Sequence, residues 1–154
     1  MDRLFLRRAI EMAVENVRHD GGPFAALVVK DGVLIASGAN QVTRTKDPTA
    51  HAEIVAIREA CRVLNTFRLT GCDVYSSCEP CPMCLGALYW ARPARVIFAA
   101  NHEDAAAAGF DDAFIYQQIA ASPSQRSIPM IRLVDERAMR PFEEWAGKQD
   151  RKPY

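Results

Sequence analysis

The chain has 154 residues, enough to bury a core, and is expected to form a single domain over 1–154. It is 49% hydrophobic and 25% charged, as ordinary globular chains are, and its 19 basic and 19 acidic residues leave no net charge. The basic excess of nucleic-acid binders is missing, and no apolar run reaches membrane-spanning length, so neither a nucleic-acid nor a membrane partner is expected.

The first predicted element is an amphipathic helix capped by Asp2. Leu6, Ala9, Ile10, Ala13, Val14 and Val17 recur at helical spacing and read as its buried stripe. Gly21-Gly22-Pro23 ends it. Phe24 to Lys30 reads as a buried strand, Asp31-Gly32 as a hairpin turn, and Val33 to Ala39 as its partner. A polar loop, Asn40 to Thr49, leads to a second helix with the stripe Ile54, Ile57, Cys61 and Leu64. Cys61, and Cys72 before the next strand, read as small core residues.

The third strand is expected at Asp73 to Ser77, the third helix at Cys81 to Ala91, and the fourth strand at Arg95 to Ala100. A loop from Asn101 to Gly109 has room for one helical turn. Asp112 to Ala121 reads as a helix. Ser127 to Val134 reads as a fifth strand, placed at the sheet edge because Pro129 cannot donate to a ladder. Pro141 to Gly147 is a last short helix, and the tail is polar. Strands alternating with helices argue for an α/β domain whose sheet, beyond the first hairpin, is largely parallel. Ligands are then expected at the C-terminal ends of the strands.

The chemistry concentrates in Cys78-Glu79-Pro80-Cys81-Pro82-Met83-Cys84. The run leaves a strand and opens a helix, so Cys81 and Cys84 share one face of its first turn. The positive end of the helix favours their thiolates, and Pro82 suits a first turn because its missing N–H would be unpaired anyway. Far upstream, His51-Ala52-Glu53 opens the second helix after Asp47-Pro48. One His and two Cys give three ligands, the count of a catalytic zinc site with one position open to water. Glu53 is then placed to move protons. It stands two residues from His51, a spacing that splays side chains on a regular helix, so His51 is expected at the capping or first position.

Other readings of these residues weaken on inspection. A structural zinc site needs a fourth ligand, which His19 or His102 would have to supply. A bacterial iron–sulfur run needs a further cysteine where Leu88 stands. A disulfide framework does not suit a chain of this size that starts on an amphipathic pattern, so the five cysteines are expected to be reduced, in a cytoplasm. Cys78 reads as a buried non-ligand and His102 as a surface residue.

The pairing of His-x-Glu with Pro-Cys-x-x-Cys resembles the cytidine-deaminase-like superfamily. Gly21 to Phe24, the Asn40 region, Asp47 to Glu53, Ser77 to Ala87, Tyr89 to Pro93, Gly109-Phe110-Asp111-Asp112 and the terminal Tyr154 resemble its bacterial guanine deaminase branch nearly end to end. The resemblance implies a three-layer α/β/α fold with a five-stranded mixed sheet. It implies a zinc ion held by His51, Cys81 and Cys84, with Glu53 as proton shuttle. It further implies that Asn40 holds a purine, that Phe24, Trp90 and the amide of Ala52 line its pocket, and that Asp112 assists at the amino group. Tyr154 would reach the site, in some members from the partner of a swapped homodimer.

Read without the resemblance, several of these residues have plain alternatives. Asn40 also reads as a loop cap, Phe24 and Trp90 as core, Asp112 as a helix cap and the tail as disordered. A tRNA adenosine deaminase shares the zinc motif but calls for a basic face. A free cytosine or triazine deaminase needs a similar pocket. A non-catalytic zinc module would not need Glu53.

Overall fold

The structure, a computed structural model, describes all residues from Met1 to Tyr154. The chain divides into two compact units, Met1–Asp112 and Ala113–Tyr154. In the first, α1 (Asp2–Arg18) precedes the hairpin β1 (Ala25–Lys30) and β2 (Val33–Ala39). There follow α2 (Val42–Thr45), α3 (Ala52–Val63), β3 (Cys72–Cys78), α4 (Pro82–Ala91), β4 (Arg95–Ala100) and α5 (His102–Ala107). The hairpin turn puts both Asp31 and Gly32 at positive φ, the two-residue turn whose twist suits a hairpin.

The strands form one four-stranded sheet in the order β2-β1-β3-β4. β3 and β4 are parallel, as a strand–helix–strand crossover requires, but β1 pairs antiparallel with both β2 and β3. The largely parallel sheet expected from the alternation is therefore not formed. The chain does cross over from β2 through α3 to β3, yet β1 lies between those two strands. β2 and β3 still run the same way, so the starts of α3 and α4 follow strands that end on one edge.

Two apolar clusters flank the sheet. One holds Ala26, Val28, Val74 and Leu69 against Ala52, Ala56 and Ala60 of α3 and Leu88 and Ala91 of α4. The other holds Phe5 and Ala9 of α1 against Leu27, Val29 and Tyr75. Cys61 packs at the margin of the first and Cys72 within it. α1 buries only half of its expected stripe: Ala9 and Ala13 face inward and Leu6 packs at the core's margin, joined there by Phe5 and Asn16, while Ile10, Val14 and Val17 are exposed. Small alanines bring this helix close to the sheet, where bulkier side chains would hold it off. Asp2 does not cap α1 either; Met1 does, and Asp2 accepts a 2.7 Å hydrogen bond from the buried Tyr75 hydroxyl.

The second unit comprises α6 (Ala113–Ala120), a 3-10 turn (Pro123–Gln125) and α7 (Arg140–Gly147). The fifth strand expected at Ser127 to Val134 is absent, so the sheet has four strands. Its apolar residues Ile128, Ile131, Leu133 and Val134 are exposed. Strand composition yields a strand only where another strand is there to pair with it.

Candidate active site

The site grows from two helix starts. His51 is the N-cap of α3, with extended backbone, and Cys81 is the N-cap of α4. His51 thus occupies the capping position that the spacing to Glu53 demands. Pro82 fills the first turn of α4, and Cys84 stands one turn into it. His51 Nδ1 lies 3.5 Å from Cys81 Sγ and 3.6 Å from Cys84 Sγ. All three donor atoms fall within 4.8 Å of one another, and neither His19 nor His102 joins them.

These donors fit zinc. With Zn–S of ~2.3 Å and Zn–N of ~2.0 Å, a tetrahedral ion separates nitrogen and sulfur by about 3.5 Å. The charges agree. Cys81 is drawn down to about 4, chiefly by the hydrogen bond from Cys84, with His51 adding to the pull against burial. Cys84 is pushed up, first by that same bond, then by burial and the Glu53 carboxylate. Hydrogen bonding to Cys81 raises His51. A second thiolate is thus costly here until a cation arrives to share it.

Glu53, in the first turn of α3, is buried, and burial is the main cause that raises its carboxyl. Its Oε1 accepts from the Ser76 hydroxyl at 3.3 Å, and its Oε2 accepts from the Cys84 thiol at 3.5 Å. α3 reaches this depth because Gly38 of β2 has no side chain. A Cβ there would overlap the Ala52 carbonyl and come within 2.6 Å of the Ala56 nitrogen.

Asn40 follows β2 and is buried. Its N–H donates to the Phe24 carbonyl at 3.0 Å, and its Oδ1 accepts from the Val42 N–H at 3.2 Å. The loop-capping role is therefore real, but it uses only the oxygen, and the amide nitrogen has no protein partner. The Gln41 N–H donates to the Ala50 carbonyl at 2.9 Å, which ties the Asn40 segment to the residue before His51. Phe24 meets Phe110 edge to face, centroids 4.9 Å apart. That contact anchors the Gly109-Phe110-Asp111-Asp112 run against the start of β1. Asp112 is partly buried, and burial, then the Cys81 charge, raises its carboxyl.

Ala52, the first residue of α3, is fully buried, whereas Trp90 on α4 is 63% exposed and so is not core. Tyr154 belongs to the second unit and is 70% exposed. Cys78 is a buried non-ligand whose thiol burial pushes up to about 11. His102 is exposed, with Nδ1 3.0 Å from Glu79 Oε2.

Three positions escaped the reading of the sequence: Asn16, Gly38 and Ser76. Only Asn16 left a signal, as a polar residue continuing the helical spacing of Phe5, Ala9 and Ala13.

Residues 1–100 match the family described as "Cytidine and deoxycytidylate deaminase zinc-binding region". The chain is 52% identical to guanine deaminase from Bacillus subtilis over 151 residues, 97% of each chain. The crystal structure of that enzyme superposes with a TM-score of 0.97, covering 99% of this chain and 98% of that one. A guanine deaminase structure from Nitrosomonas europaea gives 0.68 at 37% identity, over 71% of this chain and 64% of that one. A tRNA-specific adenosine deaminase from Aquifex aeolicus is 47% identical over 96 residues, 62% of this chain and 64% of the other.

Proposed function

The chain belongs to the cytidine and deoxycytidylate deaminase zinc-binding family, and we infer from its nearly full-length likeness to guanine deaminase that it hydrolyses guanine with water to xanthine and ammonia. The observation that carries this reading is extent. The likeness to guanine deaminase runs through 151 residues and takes in the C-terminal unit, while the adenosine deaminase likeness covers 96.

His51, Cys81 and Cys84 would hold a zinc ion, which supplies Lewis acidity that makes water easier to deprotonate. Two thiolates and an imidazole nearly neutralise such an ion, so a base beside it matters more than at an all-histidine site. Glu53 is that base. With Cys84 a thiolate, as a metal ligand would be, Oε2 would have no thiol partner and would be available for a proton from water. The carboxyl, raised by burial, then returns protons to the ring nitrogen and the departing amine. Asn40 offers its unpaired amide to the purine edge, and Phe24 with Trp90 gives the base apolar faces, beside the Ala52 amide. Asp112 stands on the segment that faces Phe24 and assists the leaving amine. Tyr154 closes over the base and excludes water.

The active form is a homodimer whose C-terminal segments exchange, so that each tail serves its partner's site. Supporting this, α6 and the residues after it expose Phe114, Ile119, Ile131, Leu133 and Val134, and β4 is an open sheet edge. The whole chain then works as one deaminase domain. No helix is long and apolar enough to cross a membrane, and five free cysteines suit a reducing cytoplasm. A place in purine breakdown follows from the product. The neutral charge disfavours tRNA as substrate.

Ammonia release from a panel of free bases, nucleosides and tRNA tests the assignment. Guanine is expected to lead the panel. Robust conversion of adenosine in tRNA, with guanine untouched, would transfer it to the tRNA branch.

A further inference from the structure

We propose that Asn16, on α1, is a positioning residue that fixes the direction of the Asn40 amide. The inference rests on the reading of Asn40 as the residue that holds the base. Asn16 is buried and is the only polar residue on the inward face of α1. Both hydrogens of its amide are used. Nδ2 donates to the Gly22 carbonyl at 2.8 Å and to the Asn40 carbonyl at 2.9 Å. One side chain thereby joins the loop after α1 to the loop after β2.

The surroundings are shaped to this side chain. The Asn16 backbone carbonyl accepts from the Gly21 N–H at 2.8 Å, which folds the chain back over the helix end. A Cβ on Gly21 would overlap the Asn16 amide, and one on Gly22 would sit 3.0 Å from Asn40 Cγ. Bare backbone at both positions therefore lets the two asparagines approach the same loop.

Asn40 is held at three points: its N–H by Phe24, its Oδ1 by Val42 and its carbonyl by Asn16. The amide nitrogen is the group left over. Fixing the other three orients that donor before a base arrives, so binding loses less rotamer freedom. Asn16 is the only one of the three holders that reaches from another layer of the fold by a side chain. Its removal frees the carbonyl and lets the Asn40 backbone turn.

A double-mutant cycle tests this, with guanine KM, kcat and zinc content read for each variant. Asn16→Ala is expected to raise KM about tenfold, the size of one well-made hydrogen bond, with zinc content kept and kcat changed far less. In an Asn40→Ala background the same substitution should shift KM by less than about twofold, because nothing is left to aim. Equal effects in both backgrounds, or loss of zinc with KM unchanged, would overturn the proposal. If Asn40→Ala alone leaves KM unaltered, the reading of Asn40 has failed and the proposal falls with it. Asn16→Ser, which keeps one donor, replaces Asn16→Ala if that variant does not fold. Failure of both to fold would make Asn16 a determinant of the fold and overturn its positioning role.

Discussion

Gly38 of β2 lies directly beneath Ala52 of α3, so close that the Ala52 carbonyl occupies the place of a side chain. The helix that begins at His51 is seated by a strand residue outside the His51, Cys81 and Cys84 cluster.

Gly38→Ala should therefore act at a distance. The added methyl must push the first turn of α3 away from β2, moving His51 and Glu53 relative to Cys81 and Cys84. Overpacking of this kind costs about 1–3 kcal/mol. Thermal unfolding should record that loss, and zinc titration should record weaker binding than in the parent protein. A variant with parental Tm and parental zinc affinity would mean that α3 is seated by other contacts.

Glu53→Gln keeps size and hydrogen bonding but cannot carry a proton. Zinc content should be retained while turnover of guanine drops by at least ~10²-fold, the usual worth of a general acid–base group. Near-parental turnover would remove Glu53 from the chemistry.

Asp112 and Tyr154 make separable predictions. Asp112→Asn should reduce kcat more than it reduces zinc affinity; an equal fall in both would make Asp112 structural. Deleting the last few residues should lower guanine turnover with zinc and fold intact, since a closing tail works by excluding water. Full activity after truncation would leave Tyr154 without a role.

Much of the chain was legible. The turn at Asp31-Gly32, the β3–α4–β4 crossover and the two helix starts all follow from local chemistry, which one sequence carries in full. The position of β1 between β2 and β3 was not, because alternation of elements specifies crossovers and leaves strand order open. On α1, Ile10, Val14 and Val17 have the same period as Phe5, Ala9 and Ala13 and greater hydrophobicity, so the larger side chains indicate the wrong face. The site divides in the same way. His51, Glu53, Cys81 and Cys84 are recognisable by type and spacing, whereas Gly38 and Ser76 matter through contacts made only after folding.

The anchor of α1 gives a pH prediction. Asp2 accepts from Tyr75 and pairs with Arg95, and the Tyr75 bond first, then Arg95, hold its carboxyl below the ordinary 3.8. A folded-state value below the unfolded one stabilises the protein at neutral pH, and that contribution fades as pH falls through the depressed value. Asp2→Asn should accordingly lower the unfolding midpoint at neutral pH and match the parent in strong acid. A gap that persists unchanged into acid would assign the effect to packing.

The central claim is tested most directly by product stoichiometry. Zinc-loaded protein incubated with guanine should form xanthine and ammonia in equal amounts, and Glu53→Gln protein should form neither at a comparable rate. Guanine recovered unchanged from the zinc-loaded protein would contradict the account.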